Sequence, residues 1–306
     1  MSKILVTGGA GFIGSNLVEE LLPLHQVSVV DNLSSGKRSQ VLNGAGFYEA
    51  DILEKDFLKI VAQVMPDYII HLAAQVNVAT SLNQPFRDLE LNILGSLKVM
   101  EAARLYGVKK IIYPSSAAVY GNPQFLPITE EHPVMPMSLY GISKHTPEHY
   151  FQVYSATYGL RYSVLRFANV YGPRQDSGGE GGVVAIFADR LLKNEPIQIF
   201  GDGEQTRDFV FVKDVVQAIT QAMISGDNQI YNIGSGQKVS INGLLHELQI
   251  LTGSNTEAEF LPARPGDIRH SLFDISKAKS SLHWMPKNDL NTGLSTTIEW
   301  FQRTRL

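Results

Sequence analysis

The sequence predicts an α/β protein built on a doubly wound parallel sheet. Three observations predict it. Short apolar, β-branched runs alternate with segments of helical periodicity from Lys3 onward. The runs are apolar without interruption, as strands covered on both faces require. Glycines three apart (Gly8, Gly11 and Gly14) separate the first run from the first helical segment.

The elements follow in order. KILVT (Lys3 to Thr7) reads as a buried strand, and FIGSNLVEELL has helical spacing and ends near Pro23. VSVVD is a second strand closing at Asp31, and GFYEADI runs to Asp51 and Ile52. DYIIHLAA and KKIIYPSS are further buried strands. Between them DLELNILGSLKVMEAARLY predicts one long helix with apolar residues on more than one side, hence packed on two sides. LYGISK lies on a helix, and RYSVLRFANVYG begins as a strand. At GPRQDSGGEGG the composition turns polar and glycine-rich, which suits either a surface linker or the start of another region.

The strand–glycine turn–helix–strand unit has a chemical reading. Glycines let backbone approach a pyrophosphate, and the helix N-terminus offers free N–H groups and partial positive charge. An acid closing the second strand can accept from a ribose 2′-hydroxyl and repels a 2′-phosphate. Asp31 therefore favours NAD over NADP, with Lys37 and Arg38 in the next loop acting the other way. A plain tight turn is the competing reading of the glycines alone.

Tyr140 and Lys144 stand four apart, one above the other if helical. An ammonium beside a phenol favours phenolate and lowers its pKa from about 10, making a base usable near neutral pH. The competing reading is a surface pair contributing a few tenths of a kcal/mol, roughly. Pro147, three residues beyond Lys144, is expected to kink the helix by crowding the Ser143 carbonyl. His145 and His149 share a helical face, but no third ligand is evident nearby, so no metal is expected.

Bulk composition excludes several classes. Hydrophobic residues at 44% and charged ones at 18% suit a chain with a large core. A net charge of -4 gives no general attraction to nucleic acid or anionic membrane, so an anionic ligand needs local donors. The absence of cysteine excludes disulfides and thiolate metal sites and fits a cytoplasmic protein. MSKILVTGG lacks a leader layout, and no apolar run approaches the roughly 20 residues that span a bilayer.

Taken together, TGGAGFIG, Asp31, HLAAQ, SSAAVYG and YGISK resemble, in order along almost the whole chain, the extended short-chain dehydrogenase/reductases. Within them the chain is most similar to the NAD-dependent sugar-nucleotide epimerases. The resemblance implies a Rossmann-type NAD-binding domain over residues 1–168 with a return segment near 206–226. It also implies a smaller, discontinuous α/β substrate domain comprising 169–205 and 227–306. It implies NAD contacts from Gly8, Gly11, Phe12, Ile13, Gly14, Asp31, Asn32, Asp51, Ile52, Leu72, Ala73, Ala74, Gln75, Tyr140 and Lys144. Ser116, Tyr140 and Lys144 become the catalytic residues, with Tyr140 the base and Ser116 the relay. Asn169, Phe200, Arg207, Arg264 and Asp267, together with Ser116, become contacts to a UDP-sugar. Relatives also pair the long helix into a homodimer.

Two positions narrow the chemistry. Related dehydratases carry an Asp-Glu pair after the serine, whereas this chain has Ala117 and Ala118, which transfer no proton. That leaves 4-epimerization of a UDP-hexose through a 4-keto sugar. Ser271 stands where some relatives have a bulky tyrosine restricting N-acetylated sugars, so UDP-GlcNAc and UDP-GalNAc are expected to fit beside UDP-glucose and UDP-galactose. The alternatives are an NAD(P)-linked reductase, dehydrogenase or dehydratase of another nucleotide sugar, and a non-catalytic NAD-binding regulator.

Overall fold

The structure is a computed structural model that describes residues 1–178, 182–264 and 267–304. Residues 179–181 of the predicted linker and 265–266 of the ARPGDIR motif lie outside the described residues. Among the described residues twelve strands run in chain order: β1 Lys3–Thr7, β2 Gln26–Asp31, β3 Gly46–Glu49, β4 Tyr68–His71, β5 Lys110–Ser116 and β6 Arg161–Phe167. They continue with β7 Asn169–Tyr171, β8 Ile197–Phe200, β9 Thr206–Phe211, β10 Gln229–Ile233, β11 Lys238–Ser240 and β12 Ala258–Leu261.

Seven of them form one sheet in the order β10-β6-β5-β4-β1-β2-β3, with every pairing parallel. Successive side chains of a strand face opposite ways, and both faces are covered. Ile4, Val6, Val29, Ile70 and Ile112 pack on one side with Leu17, Val18 and Ile219. Leu5, Val30, Ile69, Ile111 and Tyr113 pack on the other with Phe57, Val99, Met100 and Phe151. That two-sided burial is why the runs read as apolar throughout rather than alternating.

The order reverses between β1 and β4, and such a switch point is where open α/β sheets leave a crevice beyond the strand ends. Thr7, Asp31, His71 and Ser116 all end strands at that carboxyl edge.

A three-stranded sheet, β11-β9-β7, and a parallel β8–β12 pair share a further core of Phe187, Ile199, Phe209, Leu244 and Ile298 with the helices Val183–Lys193, Ile241–Thr252 and Leu290–Arg303. Two short backbone bridges, Ile128 to Phe273 and Thr206 to His270, tie the loop after β5 and the start of β9 to the same returning stretch of chain.

One local expectation differs from the structure. The predicted long helix is a helix at Pro85–Asp88, a π-helical stretch Leu89–Leu94 and an α-helix Gly95–Leu105. A π turn slips the side-chain register without ending the helix, so periodicity alone does not reveal it. The helix Leu139–Tyr158 continues through Pro147 as one element, with Ser138 capping it through a 3.0 Å bond from the Gly141 N–H.

Candidate active site

The glycine turn is shaped by close approach. Gly8 has φ +70°, and a Cβ there would sit 2.6 Å from the Ala73 nitrogen. A Cβ on Gly14 would overlap the Gly8 carbonyl. The helix Phe12–Leu21 starts at Gly11 with no side chain capping it, which leaves its first N–H groups for a ligand. Asp31 is buried, and its carboxylate accepts from the Ala10 N–H at 2.9 Å and the Leu33 N–H at 2.8 Å. Asn32 donates to Asp51 at 2.9 Å, and Asp51 accepts from the Leu53 N–H at 2.9 Å, next to buried Ile52. These bonds pin the loops after β2 and β3 beside the turn.

Ser116 ends β5, its hydroxyl accepting the Ala118 N–H at 3.2 Å and lowering the pKa of the Tyr140 phenol. The approach depends on Gly141, where a Cβ would lie 2.5 Å from the Ala118 carbonyl oxygen. Ser81 accepts the Tyr140 N–H at 3.1 Å, fixing the first turn of the helix.

The electrostatics correct one expectation. The Tyr140 pKa is raised rather than lowered: burial is the largest cause, opposed by the Ser116 hydroxyl and reinforced by the Asp88 charge. Lys144 itself is brought down to about 8 by burial, partly offset by the charges of Glu148 and Asp88. Its ammonium lies 4.8 Å from the centre of the Tyr113 ring.

Three groups at the site have no role assigned by the sequence motifs, although His71 opens HLAAQ. Asn92, buried in the π-helical stretch, accepts from the Gln75 N–H at 2.8 Å and donates to the Gln75 carbonyl at 2.9 Å and to Ser143 at 2.9 Å. It therefore joins the loop after β4 to the catalytic helix. A lone asparagine in the apolar LELNILG run was the available signal. His71 bonds Thr7 at 2.8 Å and Ser96 at 3.1 Å. Since Ser96 donates onward to the Asn92 carbonyl at 2.6 Å, His71 must donate through Nε2 and accept through Nδ1. Burial, with Lys144 adding, takes its pKa down to about 3, so it stays neutral.

The third is Glu148, which accepts from Arg166 at 3.1 and 2.6 Å and from Ser115 at 2.6 Å. Burial alone would raise its pKa, but bonds from His145 and Arg166, the Arg166 charge and Ser115 hold it at about 2. His145 and His149 approach to 3.0 Å, and no group of three or more potential ligands converges on a metal site among the described residues.

The other predicted residues form pairs. Arg264 lies 3.9 Å over the Phe200 ring, and Arg207 donates to Asp267 at 2.9 Å. Asn169 starts β7, exposed and beside β9, which carries Arg207. Ser271 is buried, its N–H given to the Thr206 carbonyl at 3.1 Å.

The model of the NAD dependent epimerase/dehydratase family matches residues 4–234, three-quarters of the chain. The chain belongs to that family. It is 42% identical over 308 residues to the UDP-glucose 4-epimerase of Mycolicibacterium smegmatis, covering 98% of each. Its fold superimposes with a TM-score of 0.98 on a UDP-glucose 4-epimerase from Thermotoga maritima solved with UDP-glucose, at 47% identity over 99% of this chain and 100% of that one. A UDP-N-acetylglucosamine 4-epimerase from Methanobrevibacter ruminantium, solved with UDP-N-acetylmuramic acid, gives 0.95 at 36% identity and 99% coverage of both.

The residues present fit the family's cofactor. The space that side chains on Gly8 and Gly14 would fill, the uncapped helix start and the Asp31 carboxylate at the second strand end form a cradle for a dinucleotide of the NAD type. No described helix is long and apolar enough to cross a membrane.

Proposed function

We propose that the chain catalyses NAD-dependent 4-epimerization of a UDP-hexose, interconverting UDP-glucose and UDP-galactose. The observation that carries this is the Ser116 hydroxyl acting on the Tyr140 phenol at the carboxyl edge of the sheet, with Ala117 and Ala118 following Ser116. Proton transfer at one sugar hydroxyl is provided for, and an acid–base pair for elimination is not. Bound NAD supplies reversible hydride acceptance at C4.

Every other part is played by the chain. Tyr140 takes the C4 hydroxyl proton, Ser116 relays it and steadies the developing ketone oxygen, and Lys144 holds the nicotinamide ribose. Gly8, Gly11, Phe12, Ile13 and Gly14 seat the pyrophosphate, while Asp31 and Asn32 take the adenosine ribose. Asp51 and Ile52 border the adenine, and Leu72 to Gln75 line the nicotinamide side. Arg207 and Arg264 suit the diphosphate, where guanidinium forks match phosphate oxygens. Asp267 reaches the uridine ribose, Phe200 packs the base, and Asn169 meets the diphosphate. These roles divide the chain into an NAD-binding domain (1–168 with a return near 206–226) and a substrate domain (169–205 and 227–306).

Relatives that bind UDP-glucose and an N-acetylated UDP-sugar support a broad reading of the sugar, as does the small side chain of Ser271. The test uses UDP-galactose with no added redox partner. Conversion to UDP-glucose without net change in NADH absorbance is expected, and UDP-GalNAc is expected to yield UDP-GlcNAc in the same assay. Stoichiometric NADH production would instead identify a dehydrogenase.

The reading includes a cytoplasmic homodimer. Phe86 is 80% exposed, and Leu82, Leu89, Leu94, Ile142 and Val153 are exposed around the same helices. An apolar face of that size is characteristic of an interface. Light scattering at micromolar concentration is expected to give twice the chain mass; a monomer would count against it.

A further inference from the structure

Tyr113 belongs to none of the motifs that mark the site, yet it touches Lys144 twice. It stands on β5 three residues before Ser116, 1% exposed, on the face covered by the helix Leu139–Tyr158. Its ring lies 4.8 Å from the Lys144 ammonium, within cation–π range. Its hydroxyl donates to the backbone carbonyl of the same lysine at 3.1 Å. Phe151 packs against the ring at 5.2 Å between centres and His71 at 6.1 Å, so the ring has no freedom to leave.

The place of these contacts on the helix matters. Pro147 has no N–H to give the Ser143 carbonyl, and its ring crowds that carbonyl. The turn bearing Lys144 thus lacks one internal bond. A strand hydroxyl that engages the next carbonyl along holds this turn to the sheet from outside. The helix then runs on through Pro147 to Tyr158.

We propose that Tyr113 is a positioning residue for Lys144: its ring seats the ammonium and its hydroxyl fixes the helical turn from which that side chain projects. The inference rests on Lys144 holding the nicotinamide ribose. The charged groups acting on Lys144 are Glu148 on its own helix, itself paired with Arg166, and Asp88 on the helix Pro85–Asp88; Lys144 in turn acts on neutral His71 at the end of β4.

The test reads titration and cofactor affinity in the full-length chain without nucleotide sugar. Lysines carrying carbon-13 at Cε report their own titration, and the signal lost in Lys144→Met identifies Lys144. Tyr113→Leu is expected to lower the Lys144 pKa by about one unit, the size of a desolvated cation–π contact, and to weaken NAD binding. Tyr113→Phe keeps the ring, so the titration is expected to hold while NAD affinity falls roughly five-fold, the worth of one hydrogen bond. Adding Pro147→Ala to Tyr113→Phe is expected to restore that affinity, because the turn regains its own bond.

Unchanged titration and affinity in Tyr113→Leu would overturn the proposal. If that variant fails to fold, Tyr113→Phe decides alone: a loss rescued by Pro147→Ala supports it, and no loss or an unrescued loss overturns it. None of these readouts involves sugar turnover. A chain that shows the shifts yet converts no UDP-hexose keeps this inference and loses the epimerase reading.

Discussion

Tyr140→Phe is expected to lower kcat roughly 10²–10⁴-fold, the range for removing a positioned general base, with KM for the sugar nucleotide changed only a few-fold. The ring and its packing survive the substitution; only the oxygen that meets Ser116 is removed. Ser116→Ala should cost less, because it deletes the relay and leaves the base. Burial raises the phenol's pKa and the Ser116 bond opposes it, so the serine is part of what readies Tyr140 for proton transfer. Steady-state kinetics on both variants, with NAD affinity measured alongside, checks this. A Tyr140→Phe protein with parental kcat would remove Tyr140 from the mechanism.

The largest effect on stability is expected from the buried Glu148–Arg166 pair, whose members are 1% and 3% exposed. Glu148→Gln removes one charge and strands the Arg166 guanidinium in a place water does not reach. Breaking a buried pair in this way costs about 3–5 kcal/mol. The damage should extend to the site, because Glu148 also holds Ser115, the neighbour of Ser116, at 2.6 Å. Register places Ser115 directly beside Arg166 across β5 and β6, so strand pairing and ion pair support each other.

The pH dependence has a definite sign. Glu148 in the folded protein has its pKa lowered to about 2 from an ordinary 4.5. Its contribution is therefore complete above the ordinary value and is lost as pH falls through the folded one. Urea denaturation of parent and Glu148→Gln should show the full gap at neutral pH and a narrowing gap across that acid window. A gap below 1 kcal/mol (roughly, the worth of an exposed pair) at neutral pH would contradict the assignment.

Which parts of this site could be read from the chain follows from how far apart the cooperating residues lie. The glycine turn, Asp31 and the Tyr140–Lys144 spacing are local patterns, each set by one turn or one strand end, and they mark the cofactor edge directly. Asn92 is different. Its role depends on a π turn that shifts its register toward Ser143, 51 residues away. Tyr113 and Glu148 sit in KKIIYPSS and on the catalytic helix as ordinary members of a strand and a helix. Their partners Lys144, Ser115 and Arg166 are identified only when β5, β6 and the helix are packed together.

The electrostatics show the same limit. Four-residue spacing puts Lys144 on the same face as Tyr140, but burial is the larger influence on the phenol, and the ammonium also lies 4.8 Å from the Tyr113 ring. Spacing along a helix fixes which side chains can meet. The sheet below decides which of them do.

The central claim is that C4 is oxidised and reduced on the same bound sugar, with the proton handled by Tyr140. UDP-galactose carrying deuterium at C4, incubated with the protein in unlabelled water and with unlabelled NADH in the medium, tests it most directly. The account predicts UDP-glucose that retains the deuterium at C4. UDP-glucose that has exchanged its C4 deuterium for hydrogen would contradict it.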